Sequence, residues 1–171
     1  LARSPNTGYY RTVGKALPLK GPDGKEIDSS KRAFRFKPGD LQNWPDATRG
    51  NIIVFYHWET GMMRLQSVDE ENQTLTLTGE FKWPFWSNQR YYVENVKAAL
   101  DAPGEWWLDP DAGKLYYRPR EGENMKTAQV IAPRLQQLVL FQGDPEAGTL
   151  VSNVRFENLW LSQTNYVLEP E

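Results

Sequence analysis

Apolar and polar residues alternate with a period of two along most of this chain, and Gly, Pro, Asn and Asp break the alternation every few residues. That is the pattern of short strands joined by tight turns. Asn51 to Trp58, NIIVFYHW, is apolar on both phases, which predicts a central strand with both faces covered. Met62 to Val68 and Gln73 to Thr78 follow across a turn at Asp69 to Asn72, the second with Leu75 and Leu77 inward, and the three read as a meander. Ala33 to Phe36 predicts a shorter strand closed by Pro38-Gly39-Asp40, and Asp40 to Trp44 a single helical turn. Leu1 to Pro22 is punctuated by Pro5, Gly8, Gly14, Pro18 and Gly21 and has room for short strands only. Phe81 to Trp86, FKWPFW, is an edge segment or an aromatic loop, because Pro84 lacks the donor that a central strand needs. Tyr92 to Leu100 predicts the one short helix, with Val93, Val96, Ala99 and Leu100 on one face and a stop at Pro103-Gly104. Glu105 to Leu108 and Lys114 to Tyr117 predict a hairpin about Asp109 to Gly113.

The last quarter has another rhythm. Leu138 to Phe141 and Val151 to Phe156 read as strands around a polar loop, and Asn158 turns the chain before Leu159 to Leu161. Short strands with an Asn at the corner are what a coil of a parallel β-helix requires, and one such coil cannot bury its own apolar face. The expected fold is therefore mainly β: an antiparallel sandwich or barrel-like domain over residues 1–132 with one short helix, then a partial right-handed parallel β-helix coil over 133–171.

Composition narrows the chemistry. The formal net charge of −2 gives no electrostatic reason to expect a nucleic-acid partner. No apolar run approaches the ~20 residues of a membrane-spanning helix. With no cysteine and one histidine, a thiolate metal site, a Cys nucleophile and a multi-His metal site are excluded, and no cofactor is expected. The chain opens at Leu1 without a signal segment, so the expectation is a piece of a longer protein whose targeting sequence lies upstream. Aromatic residues stand out at 13%, with 7 Trp, 8 Tyr and 7 Phe. Such rings fill a β core, and they also present flat faces to sugar rings.

One stretch is more specific. RYYVENVKAALDAPGEWWLDPDAGKLYYRPREGE, from Arg90 to Glu123, resembles the tyrosine-rich segment and Pro-Gly-Glu-Trp hairpin of right-handed β-helix glycoside hydrolases with an inserted β-rich domain, the group related to family 141. LARSPN at Leu1 to Asn6 is similar to the point where those proteins leave the β-helix, and VRFENLWLSQTNY at Val154 to Tyr166 to the point where they return. Where relatives carry Trp-Thr-x-Ser-Arg after the central strand, this chain has Trp58-Glu59-Thr60-Gly61-Met62, with an arginine only at Arg64. The resemblance implies a secreted, periplasmic or cell-surface bacterial protein with a polysaccharide or oligosaccharide partner. It also implies a catalytic carboxylate pair on the β-helix, outside this sequence.

Within the sequence no carboxylates form a convincing acid–base pair. Asp40, Asp46, Asp101, Glu105 and Asp109 read as turn formers or solvated groups. His57, the single histidine, is either a partly buried ring donating to a backbone carbonyl or part of a sugar-binding group with Trp58, Glu59 and Arg64. Trp83 and Trp86 are either stacking faces held out by Pro84 or a cap on the domain. Three functions stay open: a non-catalytic insertion domain of a β-helix glycoside hydrolase, which the resemblance implies, a free-standing carbohydrate-binding module, and a structural or adhesive surface domain. In the first, the chain by itself has no glycosidase activity.

Overall fold

The computed structural model describes residues 1–165, which fall into two compact units, Leu1–Met125 and a second that begins at Lys126. Twelve strands occur in the first: β1 (Arg3–Ser4), β2 (Tyr10–Arg11), β3 (Gly14–Lys15), β4 (Leu19–Lys20), β5 (Glu26–Ile27), β6 (Ala33–Arg35), β7 (Asn51–Phe55), β8 (Thr60–Asp69), β9 (Thr74–Leu77), β10 (Arg90–Glu94), β11 (Trp106–Asp109) and β12 (Lys114–Tyr117). All pairing between them is antiparallel. The main sheet runs β1–β10–β7–β8–β9–β6–β3, with β2 also on β10, while β4–β5 and β11–β12 are separate hairpins. The protein is thus mainly β with almost no helix.

β7 takes the central place that its unbroken apolar run predicts, between β10 and β8. Ile52, Ile53 and Val54 are all buried, so both faces are covered. β8 serves two neighbours, pairing with β7 over 60–64 and with β9 over 65–69, with a register shift between Leu65 and Ser67. Met63 and Leu65 are buried before the shift and Val68 after it, so the inward phase changes there. An extra residue in one strand has that effect, and it also bends the strand.

One segment joins the two ends of the sheet. Tyr10 and Arg11 pair with β10, and Thr12 exchanges backbone hydrogen bonds with Asn88 and Gln89. Val13 N–H then donates to Arg35 O, and β3 pairs with β6. Residues 10–15 therefore close the ladder on itself around a core of Phe34, Phe36, Ile52, Leu65, Leu75, Phe85 and Tyr91. Phe34 sits with its ring centre 4.8 Å from those of both Phe85 and Tyr91. Each such side chain contributes roughly 1.5–3 kcal/mol by leaving water.

Two sequence expectations are corrected in this unit. The helix expected over Tyr92 to Leu100 is instead the end of β10 followed by a single 3-10 turn at Lys97–Ala99. The apolar spacing from Val93 to Leu100 fits a helical face, yet Tyr91 and Val93 already alternate inward against β7, and sheet pairing takes the segment's first half. The helical turn expected at Asp40 to Trp44 falls a few residues later, as a 3-10 turn at Ala47–Arg49.

The second unit carries less regular structure. No strand is assigned at Leu138 to Phe141 or Val151 to Phe156, because neither segment has a ladder partner among the described residues. A bridge between Asp144 and Thr149 closes a turn in which Asp144 Oδ1 accepts the Glu146 and Ala147 N–H groups. The rings of Phe141 and Phe156 meet edge to face at 5.9 Å. Asn153, Asn158 and Gln163 adopt positive φ of 59°, 55° and 66°, five residues apart. Asn158 therefore does form a corner, while the end of the expected coil, residues 166–171, lies outside the described residues.

Candidate functional site

The connection from β7 to β8 carries three of the residues singled out by sequence, and the FKWPFW loop carries two more. Tyr56 N–H donates to Glu59 O, which makes a tight tip and leaves His57, Trp58 and Glu59 exposed. The His57 ring lies flat on Trp86, with centres 5.1 Å apart and planes 10° from parallel. Stacking, rather than the expected hydrogen bond from a partly buried ring to a carbonyl, fixes this exposed histidine.

The loop itself is pinned from below. Phe81 and Phe85 turn into the core, and their N–H groups donate to Lys31 O and Ser30 O. Trp83 is left exposed, while Trp86 is half-buried against the core beneath His57. Tyr56 hydroxyl donates to Trp83 O at 3.2 Å, and its ring meets Trp86 edge to face at 5.5 Å. Burial pushes the Tyr56 hydroxyl far above the usual phenol range, so it stays a neutral donor. Gly61 admits the Phe81 ring, since a Cβ there would lie 2.5 Å from it. The outcome is an aromatic tip in which Trp58 is 98% exposed and Trp83 49%, with the Lys82 ammonium 5.2 Å from the Trp83 ring. Flat aromatic rings offer an apolar face on which a sugar ring can stack.

Arg64 does not join this group. It lies four residue pairs along β8, opposite Asn51 and so about 13 Å from the tip at ~3.3 Å per residue. Its company is a polar row that sequence reading missed. Arg3 on β1, Glu94 on β10, Asn51 on β7 and Arg64 on β8 stand in register on one face of the sheet. The Arg3 guanidinium lies 4.0 Å above the Tyr92 ring. Burial holds the Glu94 carboxyl above its usual range, against the opposing pull of the chain's amino group and Arg3. The one available signal was alternation in RYYVE, which puts Tyr92 and Glu94 on one face once the segment is a strand.

The other carboxylates are occupied by the fold. Glu105 accepts the N–H groups of Arg3, Asp101 and Ala102, and Asp109 those of Asp111 and Ala112. Asp46 accepts Lys97 N–H, and Asp101 accepts the Asn6 amide. Asp40 accepts the Tyr91 hydroxyl, and burial holds its carboxyl above the usual range. Tyr91 and Glu94 project to opposite faces of β10, so the two raised carboxyls do not face each other. Among the described residues no group of His, Asp and Glu is placed to hold a metal, and no helix is long and apolar enough to cross a membrane.

No protein-family model matches the chain, and no curated protein matches it. A solved structure titled "Glycoside hydrolase" is similar, with a TM-score of 0.53 and 21% identity. The match covers 81% of this chain and 27% of that one. At that identity it is a likeness of fold.

Proposed function

We propose that this chain is a non-catalytic part of a larger polysaccharide-degrading glycoside hydrolase. In this reading residues 1–132 are an insertion domain that shapes a substrate cleft, and residues from 133 onward belong to a right-handed parallel β-helix whose remainder is the chain's partner. The observation that carries the reading is the uneven likeness: most of this chain matches just over a quarter of a chain titled as a glycoside hydrolase. A domain within a larger enzyme gives that ratio.

Three features of the molecule support it. The aromatic tip of Trp58, Trp83 and the His57–Trp86 stack offers sugar-stacking faces, and the raised carboxyls of Asp40 and Glu94 do not face each other as an acid–base pair would. The corners at Asn153, Asn158 and Gln163 break the tail into short segments, as a β-helix coil requires. A polysaccharide substrate goes with a secreted, periplasmic or surface location.

Native gel electrophoresis through embedded polysaccharides tests the sugar contact, and assay on aryl glycosides and xylan tests the absence of catalysis. Retardation that is lost in Trp58→Ala and Trp83→Ala, with no turnover, is the expected result. Turnover abolished by one carboxylate substitution in this chain, or free migration through every polysaccharide, overturns the reading.

A further inference from the structure

We infer that a second sugar site, selective for acidic sugars that carry a uronate carboxylate, lies at the end of the β7–β8 hairpin opposite the aromatic tip. This rests on the carbohydrate reading above and assigns a different surface. A recess of about 340 Å³ opens there, lined by Arg49, Arg64, Asn95, Trp106, Trp107 and Pro110 among others. That volume is in the range of small-ligand pockets. Leu1 also borders the recess, and the lining holds two guanidinium groups and no carboxylate side chain.

The two arginines differ in what already holds them. Arg49 is paired with Asp111 and so is fixed in place. Arg64 is exposed, and its guanidinium makes no hydrogen bond or ion pair among the described residues. A guanidinium fork matches the two oxygens of a carboxylate, which a neutral sugar lacks. Beside it the Trp106 ring is 41% exposed and offers a stacking face. Trp107 is buried behind it and packs into the core, which gives the recess a rigid floor. The Asn95 side chain donates to Arg49 O, which ties the wall of the recess to the turn that carries Arg49. One face for a ring and one unpaired guanidinium for its carboxylate make up the recognition set.

Isothermal titration of the purified chain with trigalacturonate and with xylotriose tests this. The expected result is at least tenfold tighter binding of trigalacturonate, weakening as salt rises, with a loss of tenfold or more in Arg64→Gln. Lys25→Gln, which removes the same charge from the β4–β5 turn, leaves that binding unchanged. Equal affinity for the two sugars, or trigalacturonate binding indifferent to Arg64→Gln, overturns the acidic-sugar site and leaves the carbohydrate reading standing. Citrate binding as tightly as trigalacturonate marks a general anion site and also overturns it. If neither sugar binds while polysaccharide gels still retard the protein, the site fails alone; if the gels do not retard it either, both readings fail.

Discussion

The two units of this chain spend similar apolar residues in opposite ways. In the first, Phe34, Leu65, Leu75, Leu77 and Tyr91 are removed from water inside a closed ladder. In the second, Leu138, Leu140, Phe141, Val154, Phe156, Leu159 and Leu161 all stay exposed, and every residue from Lys126 to Thr164 is exposed. The lesson is that an apolar run becomes a core only when the chain supplies a surface to face it. Each strand of the main sheet finds a neighbour within its own unit, whereas the tail segments have no ladder partner among the described residues.

Hydrogen exchange should separate the two units most widely. The amides of Ile52 to Val54 are expected to be slowed about 10³-fold or more, since they open only with the whole domain. Amides from Val151 to Leu161 should exchange within about tenfold of the unfolded rate. Equal protection of both segments would break the comparison, because it would show the tail to be part of a finished domain. Phe34→Ala should lose about 3–5 kcal/mol in urea unfolding, as its ring is fully enclosed and fills space between Phe85 and Tyr91. Gly61→Ala should cost about 1–3 kcal/mol in the same measurement, since the new methyl meets the Phe81 ring and strains the loop that carries Trp83. Trp160→Ser, at a side chain 91% exposed, should change stability by less than about 0.5 kcal/mol despite being the largest truncation of the set.

A pH test sharpens the picture of the first unit. Because the folded state raises the Glu94 carboxyl, chiefly by burial, the native chain takes up a proton more readily than the unfolded one. Ionised Glu94 therefore lowers stability at neutral pH, and the deficit disappears as pH falls through its folded value. Thermal melts of Glu94→Gln should show a small gain near neutrality and none in acid, where both chains carry a neutral group.

Elements whose local pattern agrees with their tertiary neighbours were legible in the sequence. Asn51 to Phe55, Lys114 to Tyr117 and the Pro84 loop all followed from local pattern, because in each the local choice and the tertiary neighbour agree. β10 was misread since Val93, Val96 and Ala99 satisfy a helical period while Tyr91 and Val93 satisfy a strand's, and only β7 decides between them. The closing segment at residues 10–15 was invisible for a related reason. Its pairs are too short to show periodicity, and its partners lie at residues 34–35 and 88–91. The aromatic tip could be found from composition and one proline. The row of Arg3, Glu94, Asn51 and Arg64 comes from four strands far apart in the chain, and no local pattern collects it.

The segment that closes the ladder sets an order of events during synthesis. Residues 10–15 leave the ribosome before any of their partners exist, and β10, which holds one side of them, is the last strand made of the main sheet. Pairs this distant in sequence must meet the entropy of closing a long loop before any contact repays it, which slows folding. The earliest strand is thus seated late. Until then the nascent domain is an open sheet whose β7 border is bare backbone, able to recruit another chain. The interval between making β7 and making β10 is the window in which this fold is most exposed to misassembly.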